Sequence, residues 1–275
     1  MNHIVTRHSS PISLEKKQNI SRRYHVVTKA VNREFWNSES DTLHSFYVGS
    51  YGRGTAIDTS DIDILIELPI GEYDRFNSVY GNGQSRLLQA VRTTLKTAYP
   101  RSDIRADGQI IKINFHDGIQ FELLPAFKKE YGWGSSFEYI YPDTNMGGTW
   151  KSTHPKAEQE AMKTKNSSIF SNGLLYATCK HLRFIRDTHF KSYKLSGIVI
   201  DSFVYTAMGN WRYLESGTSS SAKTGDYEKV LLDYYNNHTL YGFNTLNLSA
   251  PGSNQAVDAT DSLLCLEKVL KKINT

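Results

Sequence analysis

Apolar residues recur with helical spacing early in the chain: Ile20, Tyr24, Val27, Val31 and Phe35 fall roughly one face apart. Ser13 precedes them with the short oxygen side chain that caps a first turn, so a long helix is predicted over 13–37. The pattern then changes to short apolar runs. SFYVGS (45–50), DIDILIEL (61–68), GQIIKINF (108–115) and IQFELLPAF (119–127) read as strands, with GQSRLLQAVRTTLKTAY (83–99) as a helix between the second and third. HDG, between the last two strands, is a hairpin signal. From His154 the spacing is helical again, over 156–165, 171–189, 195–214, 225–237 and 258–272. SGTSSSAKTGD (216–226) reads as a surface loop between helices. The expected fold class is therefore α+β. A sheet-bearing lobe with the N-terminal helix occupies 1–150, a helical lobe occupies 151–275, and a small-molecule site is expected in a cleft between them.

One stretch breaks the apolar pattern. In VGSYGRGTAIDTSDIDILIELP (48–69), alternation puts Asp61 and Asp63 on one face of a strand and Ile62 and Ile64 on the other. Two like charges there repel and form strand poorly, so something must offset the cost. A magnesium ion suits: it takes one or two protein carboxylates and fills its other positions with water and phosphate oxygens. The ordinary reading of an isolated D-x-D is a solvated turn before an edge strand. Two features weigh against that reading. Gly49 and Ser50 follow an apolar strand in a small-residue turn that lets backbone N–H groups approach a phosphate chain. Glu122 lies in QFELLPAF, where a carboxylate facing a core would be expensive. If the two strands are neighbours, Glu122 joins Asp61 and Asp63 in a three-carboxylate cluster. Such a cluster holds two Mg²⁺ roughly 3.5–4 Å apart and points to nucleotidyl transfer at an α-phosphate.

Composition narrows the partners. The 275 residues are 39% hydrophobic and 22% charged, an ordinary globular balance. A net charge of +4 suits a nucleotide but falls far short of a duplex-coating protein. The basic residues are scattered with no aromatic-plus-basic sheet motif, so direct nucleic-acid binding is not expected. No apolar run approaches the ~18 residues of a membrane span, and MNHIVTRHSSPISLEKKQ lacks a secretory apolar region, so a cytoplasmic location is expected. Cys179 and Cys265 read as buried thiols of a reducing compartment. The sequons at Asn19, Asn166, Asn237 and Asn247 read as chance occurrences. Tyr51, Trp150 and Tyr241 are aromatics on which a base could stack, and the sequence does not choose among them.

Gly49-Ser50, ten intervening residues, Asp61-Ile62-Asp63 and a separate strand bearing Glu122 resemble the DNA polymerase β-like nucleotidyltransferase superfamily. The fuller wording, GSYGRGTAI…DIDILI, FELLPAF, YPDTNMGGTWKSTHP and the helix carrying Lys180, is similar to the cGAS/DncV-like nucleotidyltransferases of bacterial anti-phage defence, over about residues 40–260. The resemblance implies an enzyme that joins NTPs such as ATP into a cyclic di- or trinucleotide second messenger. The alternative is the same chemistry with a linear product, or NMP transfer to RNA or a protein. A catalytically dead binding module is disfavoured because the carboxylate set is intact. The resemblance also implies Asp61, Asp63 and Glu122 as ligands of two Mg²⁺, with Mn²⁺ as a substitute, and Gly49 and Ser50 as triphosphate contacts. Lys180, in YATCKHLRFIRD, matches the family's helix-borne lysine for the donor phosphates; read alone it is a solvated helix residue. Ser196 matches a serine near the phosphates, but Asp201 follows it at five positions where the family has a glutamate at four. Asp201 is therefore read as capping or bracing its helix. Arg53 has two readings, a phosphate contact or a salt bridge to Asp58 or Glu67. APGSNQAVDATDS (250–262) is either a segment closing the domain near the active site or a surface loop leading into the last helix. A separately encoded effector is the expected responder to the product.

Overall fold

The computed structural model describes residues 12–130, 137–215, 217–239 and 246–275. They form two compact units, one built on Ile12–Gly52 with Asp61–His154 and the other on Arg53–Ser60 with Pro155–Thr275. Tyr241 lies outside the described residues.

The sheet unit opens with helix α1 (Leu14–Phe35). The Ser13 hydroxyl oxygen accepts from the Lys16 N–H at 3.1 Å, the cap the sequence predicts. Strand β1 (Ser45–Tyr47), a single helical turn α2 (Gly49–Gly52) and strand β2 (Ile62–Leu68) follow. Helices α3 (Ile70–Asn77) and α4 (Gly83–Ala98) lead to β3 (Asp103–Asp107), β4 (Ile110–Asn114), β5 (Gln120–Glu130), β6 (Phe137–Asp143) and β7 (Thr149–Thr153). The order across the sheet is β1-β2-β5-β4-β3, with β6 joining β5 and β7 joining β6. β2 and β5 run parallel while β4 and β5 are antiparallel, joined through the HDG turn. Alternation sorts the two faces. Ile62, Ile64 and Ile66 of β2, Phe121 and Leu123 of β5, and Ile111 and Ile113 of β4 pack with Ile20, Val27 and Val31 of α1 and Leu88, Val91 and Leu95 of α4. The residues between them in sequence, including Asp63, Glu122 and Lys112, belong to the other face.

The helical unit contains α5 (Pro155–Asn166), α6 (Leu174–His189), α7 (Gly197–Ala207), α8 (Asp226–Thr239) and α9 (Leu263–Ile273). Two short strands, β8 (Leu248–Ser249) and β9 (Ala256–Val257), pair ahead of α9. The 250–262 segment is thus the turn of this hairpin, its second strand and a 3₁₀ turn. The core is formed by Leu175, Leu182, Phe203, Val204, Leu231, Leu266 and Leu270, together with both buried cysteines. α7 ends at Ala207, short of the predicted 214, because Gly209 adopts φ +55° and turns the backbone left-handed. None of the described helices is long and apolar enough to cross a membrane.

Candidate active site

The site in the sheet unit starts from strand pairing. In the parallel β2–β5 pair, Asp63 lies opposite Glu122, so both carboxylates rise from the same sheet face on adjacent strands. Both are half-buried, whereas Asp61 is exposed and stands immediately before β2. Strand alternation had placed Asp61 inside the strand; the ladder begins one residue later.

Gly49 closes this corner. Its φ is +56°, and a Cβ at this position would lie 1.8 Å from Asp63 Oδ2, so only glycine lets the turn pass the carboxylate. The Val48 N–H donates to the Asp63 carbonyl at 2.9 Å, fixing the start of α2, on which half-buried Ser50 sits. Gly49, Asp63, Gln109, Glu122, Tyr141 and Thr153 line a pocket of about 210 Å³.

Glu122 is held from its own strand and from the next. Gln120 Nε2 donates to Glu122 Oε1 at 3.2 Å, and Lys112 Nζ stands 3.4 Å from the same oxygen. Lys112 is Glu122's cross-strand partner in β4, so Asp63, Glu122 and Lys112 form one row across three strands. Partial burial disfavours the Lys112 ammonium, but the Glu122 and Asp107 carboxylates outweigh it and hold its pKa above the ordinary lysine value. On the rim, Gln109 Nε2 donates to Asp143 Oδ2 at 3.1 Å, and burial pushes the Tyr141 phenol up. Gln109, Lys112 and Tyr141 carry no motif in the sequence. The alternation of IIKIN gives the face of Lys112, and only the register shows that it meets Glu122.

The donor set fits a hard divalent cation. Two half-buried carboxylates share one pocket, a third, Asp61, precedes Asp63 by two residues, and Gly49 brings the turn directly against the Asp63 carboxylate. Among the described residues no group of three or more His, Cys, Asp or Glu side chains is gathered to hold a metal ion, so the site brings together the pair Asp63 and Glu122. An open arrangement of this kind is what magnesium uses when substrate phosphates complete its shell.

The other sequence-derived residues fall in the helical unit. Lys180 is half-buried on α6. Ser196 is the N-cap of α7, its hydroxyl oxygen accepting from the Val199 N–H at 3.4 Å. Arg53 is engaged by two buried acids of the helical unit: Nε donates to Asp201 Oδ2 at 2.9 Å and Nη1 to Glu158 Oε2 at 2.8 Å. Arg183 Nη1 meets the second Asp201 oxygen at 2.7 Å, and the Thr55 hydroxyl donates to Asp201 at 3.0 Å. Asp201 and Arg183 are 0% and 1% exposed, so Asp201 braces α7 from outside it, through α6 and the 53–55 segment. Gly54 lies against the Tyr176 ring, where a Cβ would approach to 2.6 Å.

A comparison with solved structures finds the same fold at low identity. The CdnE cyclic dinucleotide synthase of Elizabethkingia meningoseptica, solved with GTP and Apcpp, is 15% identical, with 98% of this chain and 94% of that one covered and a TM-score of 0.63. The STING-associated CdnE c-di-GMP synthase of Capnocytophaga granulosa is 16% identical, covering 98% and 83%, with a TM-score of 0.66. Bradyrhizobium diazoefficiens CdnG, in complex with GTP, is 11% identical, covering 98% and 87%, with a TM-score of 0.65. Among curated proteins none matches the sequence. The family model described as Second Messenger Oligonucleotide or Dinucleotide Synthetase domain matches residues 3–166, more than half of the chain and the whole of the carboxylate site. With that match added to the sheet and its paired carboxylates, the chain belongs to the second-messenger oligonucleotide or dinucleotide synthetase family of nucleotidyltransferases.

Proposed function

We propose that the protein condenses nucleoside triphosphates, ATP among them, into a cyclic di- or trinucleotide and releases pyrophosphate at each bond formed. The register of Asp63 against Glu122 beside left-handed Gly49 carries this reading, because it gives two acidic oxygen donors and a backbone turn in one pocket. Asp61, Asp63 and Glu122 would hold Mg²⁺, two ions when the shell is complete and replaceable by Mn²⁺, which supplies Lewis-acid activation of the attacking hydroxyl and charge neutralisation at the α-phosphate. The Gly49–Ser50 turn presents backbone N–H groups and a hydroxyl to the triphosphate. Lys180 and Ser196 are assigned to the donor phosphates from the family likeness; for Ser196 this means sharing a hydroxyl that also caps α7. In the reaction a ribose hydroxyl oxygen bonds to the α-phosphorus of a second nucleotide as the bond to the β-phosphate oxygen breaks. The hydroxyl proton leaves, and pyrophosphate departs. The product would signal to a separately encoded effector in defence.

Incubation with all four α-³²P-labelled NTPs and Mg²⁺, followed by phosphatase and mass spectrometry, tests the proposal. A cyclic product keeps its label and lacks terminal phosphates. A linear 5′-triphosphate that shortens under phosphatase would replace ring closure by oligomer synthesis. If the Asp63→Asn protein forms product undiminished, the site assignment is wrong.

A further inference from the structure

A larger cavity lies wholly within the helical unit. It has a volume of about 760 Å³, within the range of small-molecule sites, which are mostly apolar with a few placed polar groups. One face of α5 forms its floor, since Ala157, Glu160, Ala161, Thr164 and Lys165 recur at helical spacing. Glu158, on the adjoining face of α5, is already engaged by Arg53. The walls are the 169–171 turn, Tyr205 of α7 and the 209–212 segment after it.

These walls are tied together without a ligand. Arg212 donates from Nη1 to the Ile169 carbonyl at 3.1 Å and from Nη2 to the Ser168 carbonyl at 2.8 Å, and it pairs with Glu215 at 3.0 Å. Asn172 Nδ2 donates to the Tyr213 carbonyl at 3.0 Å, and the Trp211 ring leans on Tyr227 at 5.6 Å. The pocket is preformed. Ile169 and Phe170, which line it, are 77% and 55% exposed.

Lys165 is the informative residue. It is half-buried in this apolar setting, with its ammonium donating to the Tyr205 carbonyl at 2.5 Å and lying 4.5 Å from the centre of the Tyr205 ring. No carboxylate partners it among the described residues, whereas the Arg212 charge is already met by Glu215. Burial without a counter-charge depresses its pKa. A desolvated cation in an aromatic-walled pocket is complementary to one ligand class.

We propose that this pocket is a second ligand site, taking a small planar aromatic anion whose carboxylate or sulfonate pairs with Lys165 while its ring system packs among Tyr205, Trp211 and Phe170. The site is separate from the carboxylate pocket of the sheet unit and needs no nucleotide. Because α5 and α7 line it and also carry Glu158 and Asp201, an occupant would brace the two helices that hold the buried charge cluster.

The test titrates the intact protein with 1-anilinonaphthalene-8-sulfonate and, in parallel, with uncharged N-phenyl-1-naphthylamine, following probe emission and the quenching of Trp211, taken as the part of the tryptophan quenching that Trp211→Phe removes. We expect one saturable sulfonate site per chain that quenches Trp211. Lys165→Met should weaken the sulfonate at least about tenfold, the size of one lost charge-assisted contact, and change the neutral probe less than about twofold. Lys165→Arg should recover most of the loss. Glu160→Gln, which removes the one acid of the pocket floor and leaves the lysine in place, should tighten the sulfonate; it keeps the test alive should Lys165→Met fold poorly. Absence of stoichiometric binding, binding without Trp211 quenching, or equal weakening of both probes by Lys165→Met would each overturn the proposal. None of these readings depends on nucleotide turnover.

Discussion

Gly49 has little freedom to change, since two independent constraints meet on one atom. Its φ of +56° costs an L-residue about 1–2 kcal/mol, and a methyl group would sit inside the Asp63 carboxylate. Gly49→Ala is therefore expected to lower stability by about that amount in denaturant unfolding. By displacing Asp63 on the scale of an ångström it should also cut the rate of product formation about a hundredfold; a variant with normal turnover would refute the role given to the turn. Glu122→Gln separates charge from shape. The amide keeps the volume, and the Lys112 pair is partly exposed, so stability should change by no more than about 1 kcal/mol. Turnover should fall more than about a hundredfold, as for loss of a metal-binding group. Large unfolding together with retained activity would invert this assignment. At this scale much of the site is legible in the sequence. A carboxylate in an apolar strand and a Gly-Ser turn ten residues before a D-x-D each carry a physical cost that asks for a reason. Lys112 carries no such cost, because a lysine in a half-exposed strand is ordinary until the register sets it beside Glu122. The partners of Arg53 lie 105 and 148 residues away, and no local pattern points to them.

At the scale of elements, the buried cluster of Arg53, Glu158, Arg183 and Asp201 joins the 53–60 segment to α5, α6 and α7. Breaking a buried ion pair on one side leaves charge uncompensated, so Asp201→Asn should cost about 3–5 kcal/mol in unfolding free energy. The acid limb carries a further signature. Burial alone would raise the Asp201 pKa, but the Arg183 and Arg53 guanidiniums outweigh it and hold the carboxyl below the ordinary Asp range. A depressed pKa adds stability that is complete above the unfolded-state value of about 4 and disappears as pH falls through the folded value. Glu158 works in the opposite sense. Burial raises its pKa against the pull of Arg53, so its contribution is largest below its unfolded value of about 4.3 and fades as pH rises through the folded one. The stability gap between wild type and Asp201→Asn should accordingly be widest near neutrality and narrow toward pH 3 in urea melts. A gap independent of pH would show that the aspartate is held by shape alone. The elements themselves were legible where periodicity is long: α1, α4, α6 and α8 start and stop within a few residues of their predicted bounds. β3, β6 and β7 left no comparable trace. β3 buries only Ile104, and β6 contains Pro142, which withholds a ladder donor, so their pairing comes from neighbours. α7 is shorter than its pattern predicts because the hydrophobic content continues past the point where Gly209 turns the chain.

For the molecule as a whole, the useful quantity is the linkage between metal and triphosphate. The carboxylate pocket offers Asp63 and Glu122, with Asp61 two residues before Asp63 in sequence, and no group of three such ligands is gathered among the described residues. A magnesium ion held by so few protein oxygens depends on phosphate oxygens for the rest of its shell. Mg²⁺ alone, or a non-hydrolysable NTP analogue with EDTA, should therefore raise the melting temperature little. Together, at about a hundred times the dissociation constant, they should add about 2.7 kcal/mol, a shift of several degrees for a chain of this size. The coupling is reciprocal: Mg²⁺ must tighten the analogue by the same factor by which the analogue tightens Mg²⁺. Asp63→Asn should abolish the joint shift and leave the melting temperature of the unliganded protein nearly unchanged, because the substituted oxygen lies at a pocket wall and outside the core. Removal of metal from the wild type should reproduce the variant. If Mg²⁺ and the analogue instead gave separate, additive shifts, they would occupy independent sites. The carboxylates of β2 and β5 would then be structural, however well their register suits the chemistry.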